Sequence, residues 1–187
     1  MDVVKNPSRN RSSRIAFIAC ALAAGAWSSG PRAANPQPLE QAVKASFLFK
    51  FAPFVEWPGN GTAGKPFTIC LSGEDPFGST LDEVVRGQRI SGRPVNVRRL
   101  GDGGSAAGCQ MLFAGRSSAP DYAPFAEVAG QPVLTVSDQK SGPPGSMIQF
   151  VMQGGRVRFQ IDNGAARANG LVISSKLLGL AIAVERK

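Results

Sequence analysis

The sequence predicts a single α/β domain. Its expected form is a mixed, mostly parallel sheet of about five to six strands with helices on both faces, Rossmann-like in type, closed by a C-terminal hairpin and helix. Three observations carry that expectation. Short apolar, β-rich runs alternate with helical patterns between Phe67 and Val136, and βαβ alternation is the mark of a parallel sheet. Two runs of strand character flank Gly154-Gly155, a two-residue hairpin signal that adds an antiparallel edge. The chain beyond residue 34 is long enough to bury one core without a metal or many disulfides.

The elements follow in order. From Leu39 to Trp57, Val43, Phe47, Leu48, Phe51, Phe54 and Val55 recur at three- and four-residue spacing while Glu40, Lys44 and Lys50 fall elsewhere. That predicts an amphipathic helix with an aromatic buried stripe and solvated charges, and Pro53 should end or kink it near Ala52. Phe67 to Gly73 reads as a buried strand and Asp75 to Arg86 as a helix capped near Ser79 or Thr80. Pro94 to Leu100 alternates as a strand, Gly101 to Gly108 is a glycine-rich linker, and Cys109 to Ala114 is another buried strand. Tyr122 to Ala129 has the length of a short helix with Pro124 near its first turn, and Pro132 to Val136 is a strand ending at Ser137-Asp138. Met147 to Gln153 and Arg156 to Ile161 form the hairpin; in its second strand Val157, Phe159 and Ile161 share one face, with Arg156, Arg158 and Gln160 on the other. Asp162 or Asn163 can cap a helix running through Ala168, and Ser174 or Ser175 a second one carrying Leu177, Leu178, Ala181 and Ile182.

Residues 1–34 read as an export signal. Lys5, Arg9, Arg11 and Arg14 precede an apolar run from Ile15 to Trp27, and small residues follow it. The run is shorter than the roughly 20 apolar residues that span a bilayer. Cleavage is expected between about Ser28 and Ala34, and the absence of a twin-arginine pair favours the general secretory route. Only five apolar residues precede Cys20, which argues against a lipidated cysteine there. Residues 35–187 are then the mature, exported domain, with no direct insertion in the membrane.

Processing changes the composition. The first 34 residues hold five cations and one acid, so removing them takes the net charge from +8 to +4. A charge that mild gives no reason to expect nucleic acid as a partner. Cys70 and Cys109 remain; in an oxidising compartment they most simply form one disulfide, the alternative being two separate buried thiols. The chain contains no histidine, which removes Ser-His-Asp and Cys-His catalysis, histidine-ligated zinc and the usual base near neutral pH. Acids are sparse, with no cluster able to hold a hard cation. No catalytic residue, metal site or cofactor is expected.

Several segments, taken together and in order, resemble the YfiR family. They are Lys44 to Phe51 followed by Phe54-Val55-Glu56-Trp57-Pro58; Ile69 to Gly73 followed by Asp75-Pro76-Phe77; Cys109 to Phe113; Val133 to Asp138; Gly145 to Ile148; Arg156 to Asp162; and Ala165-Ala166-Arg167, Gly170-Leu171 and Ile173 to Leu178. The resemblance implies a periplasmic α/β protein, commonly a homodimer, that is not an enzyme. It implies a partner too: the periplasmic sensor domain of an inner-membrane diguanylate cyclase, held inactive so that cyclic-di-GMP and biofilm formation fall. Some relatives carry a second cysteine pair near the last hairpin, where this chain has Pro143-Pro144 and Val151-Met152, so redox control through that pair does not transfer.

Two sets of site residues are expected. Arg156 and Arg158 on an edge strand, with Asn163, Arg167, Leu171, Ser174, Ser175 and Leu178 beyond it, could dock a partner; edge protection and core packing are the blander roles. If the protein is instead a periplasmic small-molecule module with a different membrane partner, Ser72, Gly73, Ser137 and Asp138 would lie at strand C-terminal ends, where doubly wound sheets bind ligands.

Overall fold

The computed structural model describes residues 36–58 and 64–185. The expected export segment, its cleavage point and Cys20 lie outside the described residues. In chain order the elements are α1 (Pro36–Phe51), a 3-10 turn (Ala52–Phe54), β1 (Val55–Glu56), β2 (Phe67–Ser72), α2 (Ser79–Val85), β3 (Arg89–Ile90), β4 (Arg93–Gly101) and β5 (Met111–Ala114). There follow β6 (Leu134–Asp138), β7 (Ile148–Gln153), β8 (Arg156–Asp162), α3 (Asn163–Ala168), β9 (Val172–Ile173), α4 (Ser175–Leu178) and β10 (Ala183–Glu185).

Eight strands form one mixed sheet in the order β10-β8-β7-β6-β5-β2-β4-β3. Strands β4, β2, β5, β6 and β7 are mutually parallel; β3 runs antiparallel to β4 and β8 antiparallel to β7, while β10 is parallel to β8. The six strands expected from the sequence are all present. The sheet exceeds the expected five to six because β3 and β10 extend its edges. At two and three residues they are too short to carry a readable alternation. β1 and β9 pair separately as a small antiparallel ribbon.

The helices do not sit on both faces. Their buried residues, Leu48 and Phe51 of α1, Leu81 and Val85 of α2, Ala166 of α3 and Leu177 of α4, all belong to one apolar cluster with Ile69, Met111, Val136 and Phe150 of the sheet. Phe47, Phe51, Phe150 and Phe159 interlock there, with Phe51 and Phe159 ring centres 5.0 Å apart, edge to face. The opposite face carries a smaller cluster in which Cys70 and Leu112 meet Ala106, Cys109, Val128 and Val133. Coil and turns cover it. The helix expected over Tyr122 to Ala129 is a chain of turns instead, closed by three-residue bonds such as Ala126 N–H to Ala123 O (3.0 Å) and Gln131 N–H to Val128 O (3.0 Å). Pro124 donates no hydrogen bond, and eight residues do not sustain a helix whose only buried anchor is Val128.

α1 stops at Phe51, one residue before the predicted break, and Pro53 falls in the 3-10 turn. Asp162 caps α3 by accepting from Ala165 N–H (2.8 Å), and Ser174 caps α4 by accepting from Lys176 N–H (3.3 Å). α4 is shorter than expected: it ends at Leu178, and the residues beyond Ile182 pair as β10 rather than continue as helix. Gly154 and Gly155, both at positive φ (57° and 71°), make the two-residue turn between β7 and β8.

Cys70 and Cys109 form the predicted disulfide, with Cα atoms 5.9 Å apart. It joins β2 to the residue pair preceding its sheet neighbour β5.

Candidate functional site

The order of connections singles out one end of the sheet. From β2 the chain passes through α2 to β4 on one side, then returns past β2 to β5 and on to β6 on the other. The reversal falls between β2 and β5, and ligands of open α/β sheets bind outside the carboxyl ends of the strands at such a point. A cavity of about 600 Å³ opens there. Its walls come from the start of α1 (Glu40, Lys44), the turn after β2 (Glu74 to Phe77), the segment after β5 (Gly115, Arg116) and the end of β6 with the turn beyond it (Asp138, Lys140, Ser141). A smaller recess of about 360 Å³ beside it is lined by Gly73, Asp102 and Arg116 among others.

At the cavity wall, Lys44 is only 2% exposed. Its ammonium donates to the carboxylates of Glu40, one helical turn back, and Asp138 at the end of β6. The other carboxylate oxygen of Asp138 accepts from Lys140 N–H (2.8 Å). An ammonium this deep is tolerated only with such partners. The expectation that Lys44 is a solvated charge is therefore overturned. Four residues before Leu48 and seven before Phe51, it lies on the buried stripe of α1, and carboxylate pairing takes the place of water.

At the rim, Arg99 donates to Asp75 (2.7 Å), to Asp82 (2.7 Å) and to Gly78 O (2.7 Å). These bonds hold its guanidinium protonated even beyond its usual range, and the Arg99 hydrogen bond holds the Asp82 carboxyl below the ordinary carboxylate range. Asp75 also accepts from Phe77 N–H (2.7 Å) and Gly78 N–H (3.2 Å), fixing the turn that leads into α2. Burial pushes the Tyr122 phenol up, opposed in part by the Ser72 hydroxyl.

Of the four residues expected to hold a ligand, only Asp138 lines the larger cavity. Ser72 is buried and donates to Gly101 O (3.1 Å). Ser137 is wholly buried, with its Oγ 2.7 Å from Ser146 Oγ. Ser137 and Lys140 have the spacing of a Ser-x-x-Lys nucleophile pair, but the hydroxyl is in the core and Lys140 is exposed, so they are not assembled for acyl transfer. Gly73 lines the smaller recess at φ +73°, and a Cβ there would lie 2.6 Å from Arg116 O and 2.8 Å from Tyr122 Oη. Gly73→Ala is expected to cost about 1–3 kcal/mol. Urea unfolding checks this, and a loss under about 0.5 kcal/mol would show that the turn relaxes freely.

The expected partner set is divided. Arg156, Arg158, Arg167 and Ser175 are exposed, and Asn163 and Leu178 are half-buried. Leu171 is fully buried in the main cluster, which removes it as a contact residue, and the Ser174 hydroxyl is committed to its cap. The outermost strand on that side is β10, not β8. β10 pairs only with Gln160, Ile161 and Asp162, so the stretch bearing Arg156 and Arg158 stays open on that side among the described residues. Glu40, Lys44, Glu74, Arg116 and Lys140 were not expected at a site. The Glu40–Lys44 spacing was a legible signal for one pair; the rest depend on which strand ends become neighbours.

No helix among the described residues is long and apolar enough to cross a membrane. No curated protein matches the chain. The family described as DUF4154, YfiR/HmsC-like, matches residues 41–182, from α1 to the threshold of β10. That span takes in most of the cavity's lining residues, the disulfide and the hairpin, so the chain belongs to the YfiR/HmsC-like family.

Proposed function

We propose that this is a periplasmic regulator that binds the sensor domain of an inner-membrane diguanylate cyclase and holds the cyclase inactive, lowering cyclic-di-GMP and biofilm formation. Membership of the YfiR/HmsC-like family over residues 41–182 is the observation that carries the reading. An export signal over residues 1–34, cleaved between about residues 28 and 34, delivers the mature domain by the general secretory route. The protein is not an enzyme: with no histidine in the chain, the commonest general base is missing.

A regulator of this kind needs only to bind the inactive state of its partner more tightly than the active one. Shifting a partner from mostly active to mostly inactive takes roughly 3–5 kcal/mol of differential affinity. A homodimer would match a two-fold symmetric cyclase. The open stretch of β8 with Arg156 and Arg158, continued by Asn163, Arg167, Ser175 and Leu178, is the surface assigned to the partner. Deletion of the protein in its native host is expected to raise cyclic-di-GMP, and re-expression of the exported form should restore it. Unchanged cyclic-di-GMP in cells that retain the cyclase would overturn the reading. A second reading, a periplasmic small-molecule module with a different membrane partner, is favoured by the cavity at the sheet's topological reversal.

A further inference from the structure

We infer that the partner is held by strand addition: an extended segment of it, with acidic and apolar residues alternating, pairs with the open edge of β8 at Arg156–Arg158. This rests on the reading that β8 faces the partner, and it names what that surface recognises.

The hairpin fixes which backbone groups are free. Gly154 and Gly155 make a two-residue turn, so Gln153 and Arg156, which flank it, form a hydrogen-bonded pair. Alternation along the ladder then turns the N–H and C=O of Arg156, Arg158, Gln160 and Asp162 toward β7. The Asp162 N–H donates to Met147 O (2.8 Å), as that parity requires. Val157 and Phe159 point the other way. Phe159 O accepts from Ile182 N–H (3.0 Å), immediately before β10. The Val157 N–H and C=O meet no strand among the described residues, because β10 begins its pairing at Gln160. Such an edge is a template for a further strand.

Edge protection by charge does not account for this stretch. β8 carries no bulge, and its register runs unshifted from Gln153 opposite Arg156 to Ile148 opposite Ile161. Arg156 and Arg158 guard one face only. On the other face Val157 is half-buried, Met152 opposite it is 44% exposed, and Ile182 beside Phe159 is 40% exposed. The chemistry of the occupant follows from the two faces. Between Lys140 and Asp162 the only charged residues are Arg156 and Arg158. Both are exposed, and neither guanidinium is bonded to a described residue. An added strand sends alternate side chains to opposite faces, so acidic residues meet the guanidiniums and apolar residues between them meet Val157. A second copy of this chain does not fit. Two-fold antiparallel pairing about Val157 would set each copy's Arg156 opposite the other's Arg158, and like charges directly opposite destabilise a sheet.

The test is backbone-amide NMR of the purified processed protein, titrated with a blocked peptide of alternating glutamate and valine and with its lysine–valine counterpart. The acidic peptide is expected to bind saturably, to shift the Val157 amide and to slow its exchange with solvent. Arg156→Gln/Arg158→Gln should weaken it about tenfold or more, as the loss of charge-assisted hydrogen bonds implies. Arg86→Gln, an exposed site at the end of α2, should leave it unchanged. Val157→Pro removes an N–H that the fold does not use, and proline is tolerated at such an edge position. It is expected to keep the thermal midpoint and lose the peptide, whereas Val157→Ala, which keeps the N–H, should retain most of the binding. No saturable binding of the acidic peptide, equal binding of the lysine peptide, or unchanged exchange at Val157 would each overturn the proposal, whether or not Val157→Pro folds. The same variants are then re-expressed in the deletion strain. Folded Val157→Pro should leave cyclic-di-GMP at the deletion level. Full restoration by it would overturn strand addition and leave the regulatory reading standing. If deletion itself leaves cyclic-di-GMP unchanged, the regulatory reading fails, and the peptide titration still decides what the edge takes.

Discussion

Lys44→Met is expected to destabilise the domain by about 3–5 kcal/mol, the usual cost of removing one partner from a buried ion pair. The methionine fits the volume of the lysine stem, so packing in the main cluster is nearly preserved. What is lost is the cation that neutralises Asp138, which is 6% exposed, and that steadies Glu40 at the cavity wall. An uncompensated carboxylate is left at the end of β6. Adding Asp138→Asn should recover a good part of the loss, because the amide oxygen still accepts from Lys140 N–H while no buried charge remains. Denaturant unfolding of the single and double variants reads both numbers. If Lys44→Met stays within about 0.5 kcal/mol of the parent, the ammonium is not structural and the account of the cavity wall is wrong.

Lys44 also shows where the sequence was legible and where it was not. The helix, its break before Pro53, the six principal strands, the Gly154-Gly155 turn and the cap at Asp162 were all readable, because each rests on local periodicity or on one residue's backbone chemistry. The burial of Lys44 was half readable. Its spacing from Leu48 and Phe51 puts it on the core stripe, but charge argued for solvent, and the carboxylate that decides the matter lies 94 residues away in β6. The same holds for the cavity. Arg116 and Lys140 are unremarkable in sequence, and only the pairing of β5 with β6 brings them to one opening. Leu171 failed in the opposite direction: it was among the residues expected to dock a partner, with core packing as the alternative, and the turn after α3 folds it wholly into the core. The missing helix over Tyr122 to Ala129 has a further consequence, because it leaves one face of the sheet without a helical cover.

That uncovered face is why the disulfide should matter more than its single bridge suggests. Cys70→Ala/Cys109→Ala is expected to lose about 4 kcal/mol, the chain-entropy value for a closed loop of this length. The sequence separation is 39 residues, and the loop includes α2, β3 and β4. For a domain of this size the loss corresponds to a fall of about 8–16 °C in thermal midpoint. The effect should be local as well as global. Across Cys70 the second face is closed by the coil that carries Ala106 and by turns that contribute Val128, with no helix to hold either. Besides the disulfide, this coil is held by Arg98, which donates to Ser105 O and Ala107 O (2.8 Å each), and by Glu127, which accepts from Ala106 N–H (2.9 Å). Hydrogen exchange in residues 102–110 should therefore rise in the variant before the strands themselves open. Trp57 offers an independent readout, because its indole N–H donates to Gln110 O (3.1 Å), one residue past Cys109. A loosened β5 entry should shift its fluorescence. A stability loss below about 1 kcal/mol, with exchange in 102–110 unchanged, would mean that Arg98 and Glu127 suffice and the bridge is dispensable. The larger loss is expected because the Arg98 contacts are exposed, the Glu127 contact is only partly buried and each contributes on the order of 1 kcal/mol, whereas Cys70 is wholly buried at the centre of the face they protect.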